Sequence, residues 1–377
     1  MMDKLGIGIV GCGNISTTYF SLAPMFKGIE VRACADMNMT AAKARADEYG
    51  VVAQSVEDLL ANPAVDVVIN LTIPDAHFTV SKQALQAGKH VWSEKPLVLS
   101  MAEGLELRTL AAAGGLRVGC APDTFLGGSH QFARAMIDDG KIGRIVAGST
   151  AVMSHGMEHW HPNPDFFFVP GGGPMLDLGP YYIANLINLI GPIKRVAALA
   201  NASSQTRTIS NGARNGEKIP VKTPTNIHAL LEFHNGATVN LSTSWDIWSH
   251  KRAHMELYGD EGSLFIPDPN FFGGAVEMSG RDGLIKEAAL WDHPFGRANQ
   301  NHNGVERANY RSAGLADMAA ALRDGRDHRA SLDRTLHGVE VMLAVLQSGE
   351  SGQFVTLQTT CTQPAPLGPT EAAALLA

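Results

Sequence analysis

Residues 5–16, LGIGIVGCGNIS, constrain the fold of this chain more than any other stretch. An apolar, strand-like run leads into the spacing G-x-G-x-x-S, with Ser16 where a third glycine usually stands. Gly11 permits a tight turn, and Gly13 lets the backbone approach a pyrophosphate. The helix expected from about Asn14 to Phe26 points its first N–H groups, at Asn14 and Ile15, toward that anion. Glycine turns after strands are common, so the weight rests on the neighbouring strands and helices.

The second apolar strand, EVRACAD over 30–36, ends in Asp36, 20 residues beyond Ser16. A carboxylate at this spacing accepts a hydrogen bond from a ribose hydroxyl and repels a 2′-phosphate, so NAD is favoured over NADP. The alternation then continues. A helix is expected over 40–49, a strand over 51–53, a helix capped by Ser55, and a buried strand over 65–72. The turn IPDAH, a helix over 76–87 and the strand HVWSE over 90–94 come next. Helices alternating with continuously apolar strands indicate an α/β, Rossmann-type doubly wound parallel sheet. Such sheets bind ligands at the carboxyl ends of their strands, where Gly11, Asp36, Thr72 and Glu94 fall, with Pro74 and His77 in the turn after Thr72.

After GLRVGCAPDTFLGG the pattern changes. A helix over 129–139 precedes strand-like runs at 143–154, 194–200, 226–233, 237–245, 252–259 and 263–266. The HNG at 234–236 reads as a hairpin turn, and the polar stretch 201–225 as a long hairpin or connection. Runs of strands after alternating units predict an α+β second domain with an open antiparallel sheet. The expected division is 1–124 for the nucleotide-binding domain, 125–335 for the second domain, and 336–377 for a helix returning to the first domain and a tail. Helices are expected over 314–324 and 332–348.

Composition narrows the classes. A net charge of −7 leaves no basic footprint for nucleic acid. Cys12, Cys34, Cys120 and Cys361 are scattered without a CxxC pair, which points away from a disulfide framework and toward a reducing compartment. The N-terminus shows no signal-peptide pattern, and no apolar run is long enough to span a bilayer. A cytoplasmic protein without membrane or nucleic-acid partners is expected.

Two segments carry candidate chemistry. In GGGPMLDLGPYYI, 171–183, glycines and a proline lead into an expected helix on which Asp177 and Tyr181, four residues apart, share one face. In SHGMEHWHPNPDFFF, 154–168, the spacing of His155, His159 and His161 invites a zinc reading. Its strand-to-loop context does not put the first two on one helical face, and no HExxH is present, so no metal is expected.

SEKPL at 93–97 makes a wider pattern visible. Together with GIVGCGNIS, TIPDAH, GGGPMLDLG and GLADMAAAL, in family order along the chain, it resembles the Gfo/Idh/MocA oxidoreductases, the group of glucose–fructose oxidoreductase and inositol dehydrogenase. The resemblance implies a dehydrogenase that uses NAD on a sugar, polyol or related cyclic hydroxyl compound. It implies that Lys95 stabilises the alkoxide preceding hydride transfer and that Glu94 orients the lysine or the nicotinamide ribose. Trp160 would reach the nicotinamide end, and the open sheet would support a homodimer or homotetramer. Asp123 and Arg311 are expected at substrate, with His155 or His161 also near it.

The usual family motif after the glycines is D-x-G-x-H, whereas this chain has Asp177, Gly179 and Tyr181 and so resembles a tyrosine branch. A phenol, with a pKa near about 10, accepts a proton at neutral pH only with help, and a nearby Lys95 ammonium would favour the phenolate. Asp177 would then hold a substrate hydroxyl, and the glycines would let the chain pass close to the nicotinamide. Two alternatives stay open: retained-NAD sugar chemistry of glycosidase or transhydrogenase type, and a non-catalytic NAD or sugar sensor.

Overall fold

Apolar strands separated by helices close into a six-stranded sheet in the first third of the chain. Its strands are Leu5–Val10 (β1), Ile29–Ala35 (β2), Val52–Gln54 (β3), Val67–Asn70 (β4), His90–Ser93 (β5) and Val118–Cys120 (β6). Their order is β3-β2-β1-β4-β5-β6, and every pairing is parallel. The structure is a computed structural model and describes residues 4–302 and 304–377. Helices Ser16–Leu22 (α1), Met39–Tyr49 (α2), Val56–Ala61 (α3), Pro74–Gln86 (α4) and Met101–Gly114 (α5) make the crossovers. Local chemistry starts them. Asn38 accepts from the Thr40 N–H, Ser55 accepts from the Asp58 N–H, and Ser100 with Glu103 forms a capping box. Each such cap contributes about 1 kcal/mol. The first helix is shorter than expected: it gives way at Leu22 to a single 3₁₀ turn over Ala23–Met25, where Pro24 has no N–H to continue the ladder.

The register of this sheet decides where its polar groups emerge. Val10 is level with Ala35 and with Asn70, Asn70 with Ser93, and Ser93 with Cys120. The segments leaving these strands therefore start from one row. The strand order reverses beside β1, and its exit turn is tight. Gly11 takes φ +102°, and a Cβ there would lie 2.6 Å from both the carbonyl carbon and oxygen of Leu71.

The second unit begins with Gly128–Asp138 (α6) and Ile145–Met153 (β7), followed by Gly173–Asp177 (α7) and Gly179–Ile190 (α8). Strands Ile193–Asn201 (β8), Thr206–Thr208 (β9), Lys218–Pro220 (β10), Asn226–Phe233 (β11), Thr238–Ser244 (β12), Met255–Gly259 (β13), Ser263–Ile266 (β14), Glu277–Ser279 (β15) and Lys286–Glu287 (β16) complete it. A nine-stranded sheet runs β16-β15-β14-β13-β7-β12-β11-β8, with Val355–Thr356 on the far edge. It is mixed rather than purely antiparallel, because β12 lies parallel to β7. The chain leaves β7 through two helices before β12, and a crossover of that length allows a parallel return. Along β11, Ile227, Ala229, Leu231 and Phe233 are buried while Leu230 faces outward. The polar stretch 201–225 contributes the small hairpin β9–β10.

By contacts, the first unit holds the chain up to Gly128 with Trp291–Leu336 and Pro364–Ala377, and the second holds Ser129–Leu290 with His337–Gln363. Residues 291–335 thus fall in the first unit, not in the second as expected. They are tied there by Asp123, which accepts the Ser312 and Gly314 N–H groups, and by Arg117, which donates to the Arg326 carbonyl, while a buried ion pair holds the segment itself together. The Arg329 N–H and guanidinium donate to Asp317, which lies in the helix Ala313–Asp324 and is fully buried, at 2.7 and 2.6 Å. The same guanidinium reaches the Ala365 and Pro366 carbonyls and Glu371. The helix expected over 332–348 runs Leu332–Ser351, with the division between the units inside it.

One expected helix is in fact two. Asp177 closes α7, and Tyr181 lies in the first turn of α8, with Leu178 between the two helices. Pro180 has no N–H to give to Leu176, and the Tyr181 N–H donates to the Leu178 carbonyl at 3.2 Å instead. Among the described residues no helix is long and apolar enough to cross a membrane.

The turn after β1 gives a direct test. Gly11→Ala forces a side chain into left-handed backbone, costing about 1–2 kcal/mol, and adds a methyl clash with Leu71. Calorimetry should show Tm lowered by several degrees; an unchanged Tm would overturn the described turn.

Candidate functional site

The row of strand ends concentrates polar groups. Past β1, Gly11 and Cys12 are buried while Gly13, Asn14 and Ile15 are exposed. Ser16 turns its hydroxyl back to donate to the Gly13 carbonyl at 2.6 Å, which fits a serine where a third glycine is usual. Past β2, Asp36 accepts the Cys12 N–H on Oδ2 at 2.7 Å and the Asn38 N–H on Oδ1 at 2.8 Å. Its carboxylate is thereby oriented beside the glycine loop, with lone pairs left for a diol.

Past β4, the turn is organised from beneath by Asn70, a fully buried amide. Its Oδ1 accepts from the Thr72 hydroxyl at 2.7 Å, and its Nδ2 donates to the His77 carbonyl and to Ser81. Pro74 opens α4, where a missing N–H costs nothing. His77, expected to touch the cofactor, is instead buried. Its Nδ1 lies 2.6 Å from the Pro96 carbonyl and its Nε2 lies 2.9 Å from the Thr72 carbonyl. Burial pushes its pKa down, against the pull of those two carbonyls. Any effect of His77 on a ligand passes through the turns it joins.

Past β5 comes the Glu94–Lys95 pair. Tyr19 donates to Glu94 Oε1 at 2.8 Å and itself accepts from the Trp92 indole at 3.3 Å. The other carboxylate oxygen accepts the Lys95 N–H at 3.1 Å. Glu94 thus grips the backbone of the lysine it precedes, and Lys95 is half-buried. The Lys95–Pro96 bond, which the sequence leaves open, is cis. Burial holds the Tyr19 phenol well above its ordinary range, and Glu94 adds to this.

Past β6, Asp123 is buried, and its Oδ2 accepts the N–H groups of Ser312 and Gly314, each at 3.0 Å. It therefore caps the helix Ala313–Asp324. Burial pushes its pKa up to about 6, opposed by the Gly314 N–H and Arg311. Arg311 donates to Asn309 Oδ1 at 3.1 Å.

In the second unit, the segment between β7 and α7 forms an aromatic cluster. The rings of Trp160, Phe166 and Phe167 stand edge-on to His161 at 5.4, 5.5 and 5.2 Å. His161 Nδ1 accepts the Asn163 N–H at 3.1 Å. Burial holds its pKa below the usual histidine range, while the Asp177 carboxylate pulls upward. Asp177 and Tyr181 are both half-buried. His155 stacks on the exposed Trp248 at 3.4 Å, and its pKa is lowered first by burial and then by Arg207. Trp160 is more than half exposed. The glycines of 171–173 serve the chain itself. Gly171 and Gly173 take φ +90° and +86°, and a Cβ on Gly172 would lie 2.6 Å from the Phe166 and Phe167 carbonyl oxygens.

Three buried residues here escape sequence reasoning. Asn70 and Tyr19 look like ordinary members of a strand and a helix. Arg207 sits in the polar stretch yet is buried, with Glu158 at 3.5 Å, Asp246 at 2.9 Å and the Trp245 carbonyl as partners. It ties the hairpin β9–β10 to the segment carrying His155 and His161.

Residues 5–121 match the family model of an oxidoreductase family with an NAD-binding Rossmann fold, and residues 130–265 match the GFO/IDH/MocA C-terminal domain. The chain belongs to the GFO/IDH/MocA oxidoreductase family. The 1,5-anhydro-D-fructose reductase of Ensifer adhaerens is 23% identical over 360 residues, 93% of this chain and 98% of its own. A solved NAD binding oxidoreductase from Klebsiella pneumoniae superposes with a TM-score of 0.81 at 20% identity, covering 94% of this chain and 99% of its own. Levoglucosan dehydrogenase in complex with NADH and L-sorbose gives 0.79 at 19% identity, with the same coverage of 94% and 99%. At these identities the structural likeness establishes the fold.

Asp123 carries a pH signature. Its folded pKa lies above that of the unfolded chain, so it favours the native state below about pH 4, and the contribution is lost as pH rises through about 6. The neutral Asp123→Asn variant should therefore gain on the wild type between pH 4.5 and 7.5, by about 1–3 kcal/mol. Tm measured for both proteins across that range checks it; a constant difference would overturn it.

Proposed function

We propose that the chain is an NAD-dependent dehydrogenase that oxidises a hydroxyl of a sugar, polyol or related cyclic carbohydrate by hydride transfer to nicotinamide. The observation that carries the reading is the single row of strand ends from which Gly11, Asp36, Thr72 and Glu94–Lys95 emerge. Family membership supports the oxidoreductase class. The printed names of relatives, a reductase of an anhydro-sugar and a dehydrogenase complexed with NADH and L-sorbose, support the substrate class.

The residues fit a dinucleotide. The exposed backbone of Gly13–Ile15 at the start of α1 suits a pyrophosphate, and the anchored Asp36 carboxylate suits a ribose diol. A phosphate on that ribose would meet Asp36 as a like charge, so NAD is preferred to NADP. When bound, the nicotinamide supplies the hydride acceptor. The chain's own residues handle the proton and the pose. The Lys95 ammonium, its backbone held by Glu94, stabilises the alkoxide that forms as the hydroxyl loses its proton. Tyr181 takes that proton in place of the usual histidine, as in the tyrosine branch of the family. Asp177 holds a neighbouring hydroxyl, and Trp160, His155 and Arg311 add contacts to cofactor or substrate. His161 is the reserve acid/base, with a pKa below the ordinary range that keeps it neutral and proton-accepting. A cytoplasmic homodimer or homotetramer completes the reading.

Absorbance at 340 nm with NAD and a panel of sugars and polyols tests the activity. At least one should give net NADH, while a protein that carries bound NAD without net reduction would replace this reading with retained-cofactor chemistry. Lys95→Met and Tyr181→Phe should each lower kcat by about 10²–10⁴-fold with NAD affinity retained. Wild-type turnover in Tyr181→Phe would move the proton to His161. NAD should be preferred to NADP by about tenfold or more, worth about 1.4 kcal/mol, and Asp36→Ser should narrow that ratio. A preference for NADP in the wild type would sink the Asp36 argument.

A further inference from the structure

The residue before Lys95 is an acid, and a carboxylate and an ammonium on adjacent residues attract each other. An ammonium neutralised by its neighbour has less field left for an alkoxide. The chain spends both Glu94 oxygens elsewhere. Oε1 accepts from the Tyr19 hydroxyl at 2.8 Å, and Oε2 accepts from the Lys95 backbone N–H at 3.1 Å.

A third group sets the direction of the Tyr19 bond. An indole N–H can only donate, and that of Trp92 reaches the phenol oxygen at 3.3 Å. The hydroxyl proton is thereby left for Glu94. Trp92 has no room to turn. It is fully buried, and a Cβ on Gly119 would lie 2.6 Å from its ring, while one on Gly314 would meet the ring closer still. Tyr19, in α1, is buried as well, and burial keeps its phenol neutral, so the proton is there to give.

We propose that Tyr19 is a positioning residue for Lys95: its hydroxyl, oriented by Trp92, holds the Glu94 carboxylate on the lysine's backbone and away from its ammonium. The inference deepens the proposed reaction and rests on the reading of Lys95 as the group that stabilises the alkoxide. Tyr19 acts through Glu94 alone. Without the hydroxyl, Oε1 is released in a half-buried setting, and the ammonium of the next residue is a charged donor ready to take it. The carboxylate then turns to the lysine and cancels part of the charge that the reaction uses, while the ring at position 19 still fills its place in the core.

Tyr19→Phe in the full chain removes one oxygen and keeps the ring. It should lower kcat, on whichever sugar or polyol is turned over, by about tenfold, within the range of coupling between contacting residues, and leave NAD affinity unchanged. Adding Glu94→Gln to Tyr19→Phe should recover part of that loss, because an amide has no charge to offer the ammonium. A hydroxyl that served only the packing would give a further loss instead. A second readout needs no substrate. NMR on protein carrying isotope-labelled lysine should show the Lys95 ammonium keeping its proton to higher pH in Tyr19→Phe than in the wild type. Should Tyr19→Phe fold poorly, Trp92→Phe, which takes away the donor to Tyr19, should move the lysine in the same direction by less. Wild-type kcat in folded Tyr19→Phe, a deeper loss in the double variant, or a Lys95 titration unmoved by either substitution would overturn the positioning role alone. Wild-type turnover in Lys95→Met would overturn the reading of the lysine on which it rests.

Discussion

A parallel sheet buried on both faces leaves polar side chains one place to emerge, the ends of its strands. Here the register makes that place a single line, because Val10, Ala35, Asn70, Ser93 and Cys120 stand level across five strands. Everything proposed for the first unit hangs from it. A slip of one residue in β2 would carry Asp36 away from the Cys12 N–H and turn the strand's buried side chains to the opposite face. The chemistry is therefore protected by the same hydrogen bonds that make the core, with no separate scaffold.

Below that line, buried polar groups do the positioning. Asn70, Tyr19 and His77 reach the strand-end turns from inside the protein, each with its polar atoms partnered. A buried polar group left without a partner costs about 1–3 kcal/mol, so such residues tolerate few alternative arrangements. That stiffness is what the role proposed for Lys95 needs. Glu94 shows the principle at its smallest scale, holding Tyr19 with one oxygen and the Lys95 backbone with the other.

Much of this was legible in the sequence wherever the determinant was local. Strand 226–233 and strand 263–266 follow from side-chain alternation, the Ser55 cap from its residue type, and the strand-end marks from spacing. What was not legible depends on distant partners. The Asp123 contacts that take residues 291–336 into the first unit join groups nearly 190 residues apart with no mutual signal in the sequence. The parallel placement of β12 beside β7 is likewise a choice of neighbour that alternation does not encode. The break between Asp177 and Tyr181 is different, since Pro180 announces it, and i, i+4 spacing alone overlooks the missing N–H.

The two units hold their candidate residues by different physics. In the first, backbone register does the work. In the second, the segment with His155 and His161 is tied down by the buried Arg207 cluster, and this cluster is incompletely satisfied. Glu158 Oε2, His155 Nδ1 and Trp245 Nε1 are all buried without a hydrogen-bond partner among the described residues. An ion cluster in low dielectric is costly to assemble and more costly to break, so it specifies one arrangement more firmly than it stabilises it. Local dissatisfaction of this kind is what a packed core avoids and what functional segments retain.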